Sequence, residues 1–286
     1  MSQNENRDKT PSLTDKEHSL LEALTALGSA LVAFSGGVDS TYLAWAARRV
    51  LGDRALAVTS VCPLVPLAEV VEARRLAAFI GIAHEEIEAV DLSAEYFRTH
   101  PPDRCYHCKR DLFLVLRRLA ELRGIQHLLA GDNLDDARGH RPGRRAATEL
   151  GVRHPLQDAG LTKTDIRQLS ARIPLPTADK PSRACLATRI PYGTPVTAAL
   201  LARVEQAEDF LLSLGIRQVR FRHHGDLCRI EVAPEGWAIL FPPAMREKVV
   251  KFMKEIGYQY VTLDLAGYRS GAMDEILDHS AKGRRV

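Results

Sequence analysis

The sequence predicts an α/β protein, a parallel β-sheet covered by helices on both faces, followed by a smaller α+β domain. Short apolar runs alternate with helical stretches through the first half of the chain, the order that builds a parallel sheet. A glycine turn, Ser35-Gly36-Gly37-Val38-Asp39-Ser40, separates the first apolar run from the helical stretch after it. From about Thr188 the order becomes helix, two strands, helix, strand.

Residues 1–12 are polar and read as a disordered lead. Thr14 and Glu17 form a T-x-x-E capping box, opening a helix with Leu20, Leu21 and Leu24 on one face and Gly28 placed to end it. Residues 30–34 read as a buried strand, 41–51 as a helix, 55–61 as a second strand, 67–80 as a helix and 85–90 as a third strand. A loop at 100–108 leads to a helix at 109–123 and a strand at 127–130. The second part reads as a long helix at 196–214, strands at 217–223 and 227–232 around His224-Gly225-Asp226, a helix at 245–256 and a strand at 258–263. The Pro-rich stretch 174–195 marks a boundary near residue 190, giving domains 13–190 and 191–286. The basic end at 282–285 reads as a solvated tail.

At 286 residues, 45% hydrophobic and 26% charged, the chain is of ordinary globular composition. A net charge of +3 is too small to imply a nucleic-acid or membrane partner. No signal peptide and no apolar run of roughly 20 residues is present, so a cytoplasmic protein with reduced thiols is expected. The five cysteines then read as metal ligands, nucleophiles or core residues.

The glycine turn carries the chemistry. Gly36 and Gly37 let the backbone bring its N–H groups to an anion, the following helix adds its dipole, and Ser35 and Ser40 offer hydroxyls. Asp39 is informative, because a carboxylate beside phosphates is repulsive unless a divalent cation such as Mg²⁺ bridges them. No Lys follows the glycines, so this is not the loop that acts on a terminal phosphate. The hexapeptide resembles the pyrophosphate loop of the N-type ATP pyrophosphatases, a Rossmann-like (adenine nucleotide alpha hydrolase-like) fold. That resemblance implies cleavage of ATP to AMP and pyrophosphate to activate a substrate oxygen.

Cys105-Tyr106-His107-Cys108 has C-x-x-C spacing, and Arg104, Lys109 and Arg110 beside it would favour thiolates. Cys185 offers a third ligand, which would leave one iron of a 4Fe–4S cluster open to hold sulfide. Zinc with His107 as fourth ligand, a redox dithiol and plain surface cysteines remain open. Cys62 and Cys228 adjoin or lie in apolar strands and read as core cysteines. Arg220 and Arg222 share one strand face and suit a nucleotide phosphate.

The segments CYHCKRDLF (105–113), RPGRRAATELGVRHPL (141–156), AGLTKTDIRQLS (159–170), KPSRACLATRIPYGTPVT (180–197), RQVRFRHHGDLCRIEV (217–232) and LDLAGYRSGAMD (263–274) resemble the LarE family. These are ATP-dependent sulfur transferases that help make the nickel-pincer nucleotide cofactor of lactate racemase. The resemblance implies an adenylylated carboxylate on pyridinium-3,5-biscarboxylic acid mononucleotide, attacked by sulfur to give a thiocarboxylate. In some members the cysteine matching Cys185 is the sole sulfur source and ends as dehydroalanine; others also carry the C-x-x-C and are thought to use a cluster. With all three cysteines, this chain resembles the second group, with ATP, Mg²⁺ and a 4Fe–4S cluster as cofactors. Thr188, Arg189, Arg220 and Arg222 are implied near the substrate phosphate, Glu208 as a metal or substrate ligand, and Tyr106 as a stacking partner for the pyridinium ring. Other cofactor-biosynthesis proteins and further copies of the chain are the expected partners. Two other readings are a tRNA-thiolating enzyme and a non-enzymatic metal- or nucleotide-sensing module.

Overall fold

A computed structural model describes residues 11–137, 142–269 and 271–273. The expected disordered lead, except Pro11 and Ser12, and the basic tail lie outside the described residues. The chain begins with α1 (Leu13–Ala26), β1 (Ala30–Ala33), α2 (Val38–Leu51), β2 (Ala55–Ser60), α3 (Leu67–Ile80) and β3 (Ala83–Ile87). It continues through α4 (Glu95–Arg98), α5 (Arg104–Leu122), β4 (His127–Leu129), α6 (Pro142–Glu149), α7 (Pro155–Asp158) and α8 (Lys163–Arg172). The remainder comprises α9 (Ala198–Ser213), β5 (Val219–His224), β6 (Leu227–Val232), α10 (Pro234–Leu240), α11 (Pro243–Glu255) and β7 (Tyr260–Leu263).

These elements form two compact units. The first takes the described residues through Val61, then Leu67–Val90 and Cys105–Ser182; the second takes Cys62–Pro66, Asp91–Arg104 and the described residues from Arg183 onward. The division therefore falls at Ser182, ahead of the expected boundary near 190, and two short segments of the earlier sequence join the second unit. Backbone hydrogen bonds hold them there: Leu186 N–H donates to the Leu64 carbonyl at 2.9 Å and Val196 N–H to that of Phe97 at 2.8 Å.

In the first unit the sheet is wholly parallel, in the order β3-β2-β1-β4. Side chains alternate across a strand, and β1 shows the consequence. Ala30 and Val32 join a core with Leu20 and Leu24 of α1 and Leu43 of α2, while Leu31 joins a second core with Phe113 and Leu116 of α5. Both faces are therefore apolar and both are covered. The α1 capping box is made by Ser12 and Asp15, two residues ahead of the expected Thr14 and Glu17; Glu17 instead accepts from the Tyr42 hydroxyl at 3.1 Å. The expected turn at Gly28 is present, with φ +72°.

In the second unit β5 and β6 pair antiparallel and β6 and β7 parallel. The hairpin turns at Gly225, φ +65°. Leu201, Val204 and Leu211 of α9, with Phe221, Ile230, Met253 and Tyr258, are among its buried apolar residues. No helix among the described residues is long and apolar enough to cross a membrane.

Candidate functional site

The strand order reverses between β2 and β4 on either side of β1. In an open parallel sheet the crevice at such a switch, beyond the carboxyl ends of the strands, is where ligands bind. Both loops at this point belong to the first unit. Residues 35–37 follow β1, and Gly131 lies two residues past β4, so close to α2 that a Cβ there would sit 2.9 Å from the Ser40 backbone nitrogen. Glycine is required at 131 by this approach.

The loop is held by its serines. Ser35 Oγ and Ser40 Oγ lie 3.1 Å apart, Ser40 Oγ donates to the Gly37 carbonyl at 3.2 Å, and Ser40 Oγ accepts from Ser35 N–H at 3.3 Å. Gly36 has φ +68° and packs on Ala73 of α3, where a Cβ would come within 3.3 Å. Helix α2 starts at Val38 with Gly37 as N-cap and no side-chain cap, so its first N–H groups face the loop.

Asp39, in the first turn of α2, accepts from Lys163 Nζ at 2.6 Å through Oδ2. Its other oxygen is buried without a well-formed hydrogen bond. Burial pushes the carboxyl above its ordinary value, against the opposing charge of Lys163. The Asp136 charge also raises it. Asn133 orders this second loop: its Oδ1 accepts from the N–H groups of Asp135 and Asp136 at 2.9 and 3.3 Å. Asp135 accepts from Lys163 N–H at 2.8 Å and so caps α8.

Lys180 is the second cation at the loop. Its Nζ donates to the Gly36 carbonyl at 3.0 Å and to Glu69 and Glu72 of α3, both at 2.7 Å. Neither Lys163 nor Lys180 stands near the glycines in sequence, which is why the motif alone does not reveal them. Their signal lay in the family segments 159–170 and 180–197.

Cys105 and Cys108 were expected on a loop. They lie instead in the first turn of α5, which begins at Arg104, five residues earlier than expected. Their i, i+3 spacing puts both on one helix face. Tyr106, between them, lies under Arg145, whose guanidinium carbon is 3.8 Å from the ring centroid, and its hydroxyl donates to Glu149 at 2.6 Å. The ring expected to stack on a pyridinium thus already carries a protein cation on one face.

In the second unit Cys185 precedes a short 3-10 turn, Leu186–Arg189. Its thiol is half-buried and Arg104 Nη1 lies 3.8 Å from Sγ. The Cys185 carbonyl accepts from Thr188 Oγ1 at 2.7 Å and Arg189 Nη1 at 3.0 Å. Arg189, 2% exposed, also forms a bidentate pair with Glu208 of α9 at 2.8 and 2.9 Å. Glu208 in turn accepts from Phe221 N–H of β5 at 3.0 Å. Arg222 pairs bidentately with buried Glu231, both bonds 2.9 Å, and donates to the Thr188 carbonyl at 2.7 Å.

Arg220 and Arg222 were expected to share a face suited to a nucleotide phosphate, and Arg222 is instead bonded to Glu231 and to the Thr188 carbonyl. Strand β5 is buried over Val219–His223, and the guanidinium groups of Arg189 and Arg222 serve as the frame of the Cys185 turn. Arg220 lies over the Tyr268 ring at 5.0 Å, and burial, then the Arg189 charge, pulls it below its ordinary value. Glu231 was missed because a glutamate inside an apolar strand signals burial only once its arginine partner is known. Cys228 is a core cysteine, its thiol pushed up to about 11 by burial.

Among the described residues no group of three or more His, Cys, Asp or Glu side chains is arranged to hold a metal ion. Cys105 and Cys108 belong to the first unit and Cys185 to the second.

The parallel sheet, its switch point and the glycine loop define a Rossmann-like α/β protein. No family model matches the chain. An uncharacterized protein of Synechocystis sp. is 40% identical over 265 residues, 93% of this chain and 99% of that protein. The pyridinium-3,5-bisthiocarboxylic acid mononucleotide synthase of Lactiplantibacillus plantarum is 36% identical over 269 residues, 93% of this chain and 96% of that protein. One component of the glutamine-hydrolyzing GMP synthase of Methanocella arvoryzae is 30% identical over 164 residues, 52% of each chain. The chain belongs to the LarE family.

Proposed function

We propose that this chain is an ATP-dependent sulfur transferase that makes a thiocarboxylate on pyridinium-3,5-biscarboxylic acid mononucleotide, with Cys185 supplying the sulfur. The observation that carries this reading is the half-buried Cys185 thiol, contacted by Arg104 and fixed through its carbonyl by Thr188 and Arg189. The relative from Lactiplantibacillus plantarum supports the substrate class by its name.

A substrate carboxylate oxygen attacks the α-phosphorus of ATP, the bond to the β-phosphate oxygen breaks, and pyrophosphate leaves. The N–H groups at the start of α2 and the hydroxyls of Ser35 and Ser40 hold that pyrophosphate. Asp39, one oxygen of which is buried without a well-formed hydrogen bond, and Asp136 suit Mg²⁺, which usually takes one or two carboxylates together with phosphate oxygens. The ion would neutralise the departing pyrophosphate. Lys163 adds a protein cation on the same side.

The Cys185 sulfur then attacks the acyl carbon, the carbon–oxygen bond breaks and AMP departs, leaving a thioester. Loss of the Cys185 Cα proton and cleavage of its Cβ–S bond release the thiocarboxylate and leave dehydroalanine. Arg220 and Thr188 are the residues proposed near the substrate phosphate, with Arg189, Arg222 and Glu208 holding the turn in place.

Pyrophosphate release from ATP tests the activation step. Release should depend on the dicarboxylated pyridinium nucleotide, and Cys185→Ala should still release pyrophosphate without forming thiocarboxylate. Thiocarboxylate formation by Cys185→Ala would remove Cys185 as the donor.

A further inference from the structure

Lys180 is an ammonium with three donors and three acceptors, drawn from the loop and from α3. It is well buried, its side chain 11% exposed, beside Glu69 at 9%. Its own main chain is fixed as well, because Arg167 of α8 donates to the Lys180 carbonyl at 2.7 Å and also bonds the Ala178 carbonyl. One of the three acceptor atoms belongs to the glycine loop.

That atom is the Gly36 carbonyl oxygen. No cis peptide occurs among the described residues. In a trans peptide the carbonyl and the next N–H point in opposite directions. Binding the Gly36 carbonyl toward α3 therefore turns the Gly37 N–H away from α3. Among the described residues that N–H makes only a long contact, 3.4 Å to Ser35 Oγ. Gly36 itself is at φ +68° with Ala73 against its Cα, a conformation that admits only glycine without strain and leaves the peptide little room to turn.

Electrostatics bear on the same point. Glu69 and Glu72 are two carboxylates beside a loop that would hold phosphates, an arrangement that opposes anion binding. Lys180 sits between them and offsets part of that charge. Two functions are thus separable: neutralising the glutamates, and orienting the Gly36–Gly37 peptide.

We propose that Lys180 is a positioning residue of the pyrophosphate loop, holding the Gly36–Gly37 peptide so that its N–H is presented to the pyrophosphate. This rests on the reading of the loop as a pyrophosphate site. Calorimetric titration of the full-length protein with Mg-pyrophosphate and, separately, with AMP tests both. If the unaltered protein binds no pyrophosphate, the loop reading fails and with it the proposal. If it binds, Lys180→Met should weaken pyrophosphate about tenfold or more, the scale of a lost hydrogen bond to a charged group, while AMP binds as before. The double variant Lys180→Met/Glu69→Gln keeps the test valid should the single variant unfold, because it removes the carboxylate charge left buried. It should be as weak for pyrophosphate as the single variant. Wild-type pyrophosphate affinity in either variant overturns the proposal, and recovery confined to the double variant assigns Lys180 to charge compensation alone.

Discussion

Lys163 and Lys180 bring to the loop, from more than 120 residues away, positive charge that a P-loop carries within its own motif. Single residues also set how the second unit responds to pH. His100 is fully buried, at φ 43°, and donates to the Pro191 carbonyl through Nδ1 at 3.1 Å. Burial, helped by the Arg104 charge, pulls its imidazole down from 6.5 to about 4. The folded protein thus binds fewer protons than the unfolded chain between those values. Stability present above pH 6.5 is lost as pH falls toward and below 4, on the order of 3 kcal/mol in total. His100→Asn, which tolerates the left-handed backbone without titrating, should flatten that loss in urea unfolding at pH 7 and 4.5. Parallel losses in both proteins would show that His100 stays protonatable in the fold.

At the scale of elements, α9 and β5 act together through Glu208. This one carboxylate ties Arg189 of the Cys185 turn to the backbone of β5. Glu208→Ala leaves Arg189 buried without its partner, a change that costs about 3–5 kcal/mol when a buried ion pair is broken. Chemical denaturation should report a loss of that size, whereas a loss below about 1 kcal/mol, the value of an exposed pair, would contradict it. Elements with an apolar face were legible in advance: α3 was expected at 67–80 and is found at Leu67–Ile80. Helix α6 was not, because only Ala146 and Ala147 of it are buried and arginines fill its start. Helix α8 carried a readable signal that went unused, the capping box of Thr162 with Asp165. Alternation along β5 put Arg220 and Arg222 on one face but did not show that both are buried.

At the scale of the molecule, strand type and order of elements are written locally, in apolar runs and turn residues. Strand neighbours are not. Nothing in 127–130 says that β4 pairs with β1, yet that pairing brings Gly131 and Asn133 to the loop and completes the site. The same holds for the segments Cys62–Pro66 and Asp91–Arg104, which sequence order assigns to one domain and folding gives to the other unit. Cys185 was legible as chemistry, but its holder, the Arg104–Arg189–Glu208 arrangement, needed three distant stretches to be seen together.

The central claim, that ATP cleavage drives transfer of the Cys185 sulfur, meets its most direct test in one measurement. The purified protein is given ATP, Mg²⁺ and the dicarboxylated pyridinium nucleotide, and thiocarboxylate is counted per chain while intact mass is followed. One thiocarboxylate per chain, with pyrophosphate released and the protein lighter by the mass of H₂S at position 185, is the predicted result. Repeated turnover with an unchanged protein mass would contradict it.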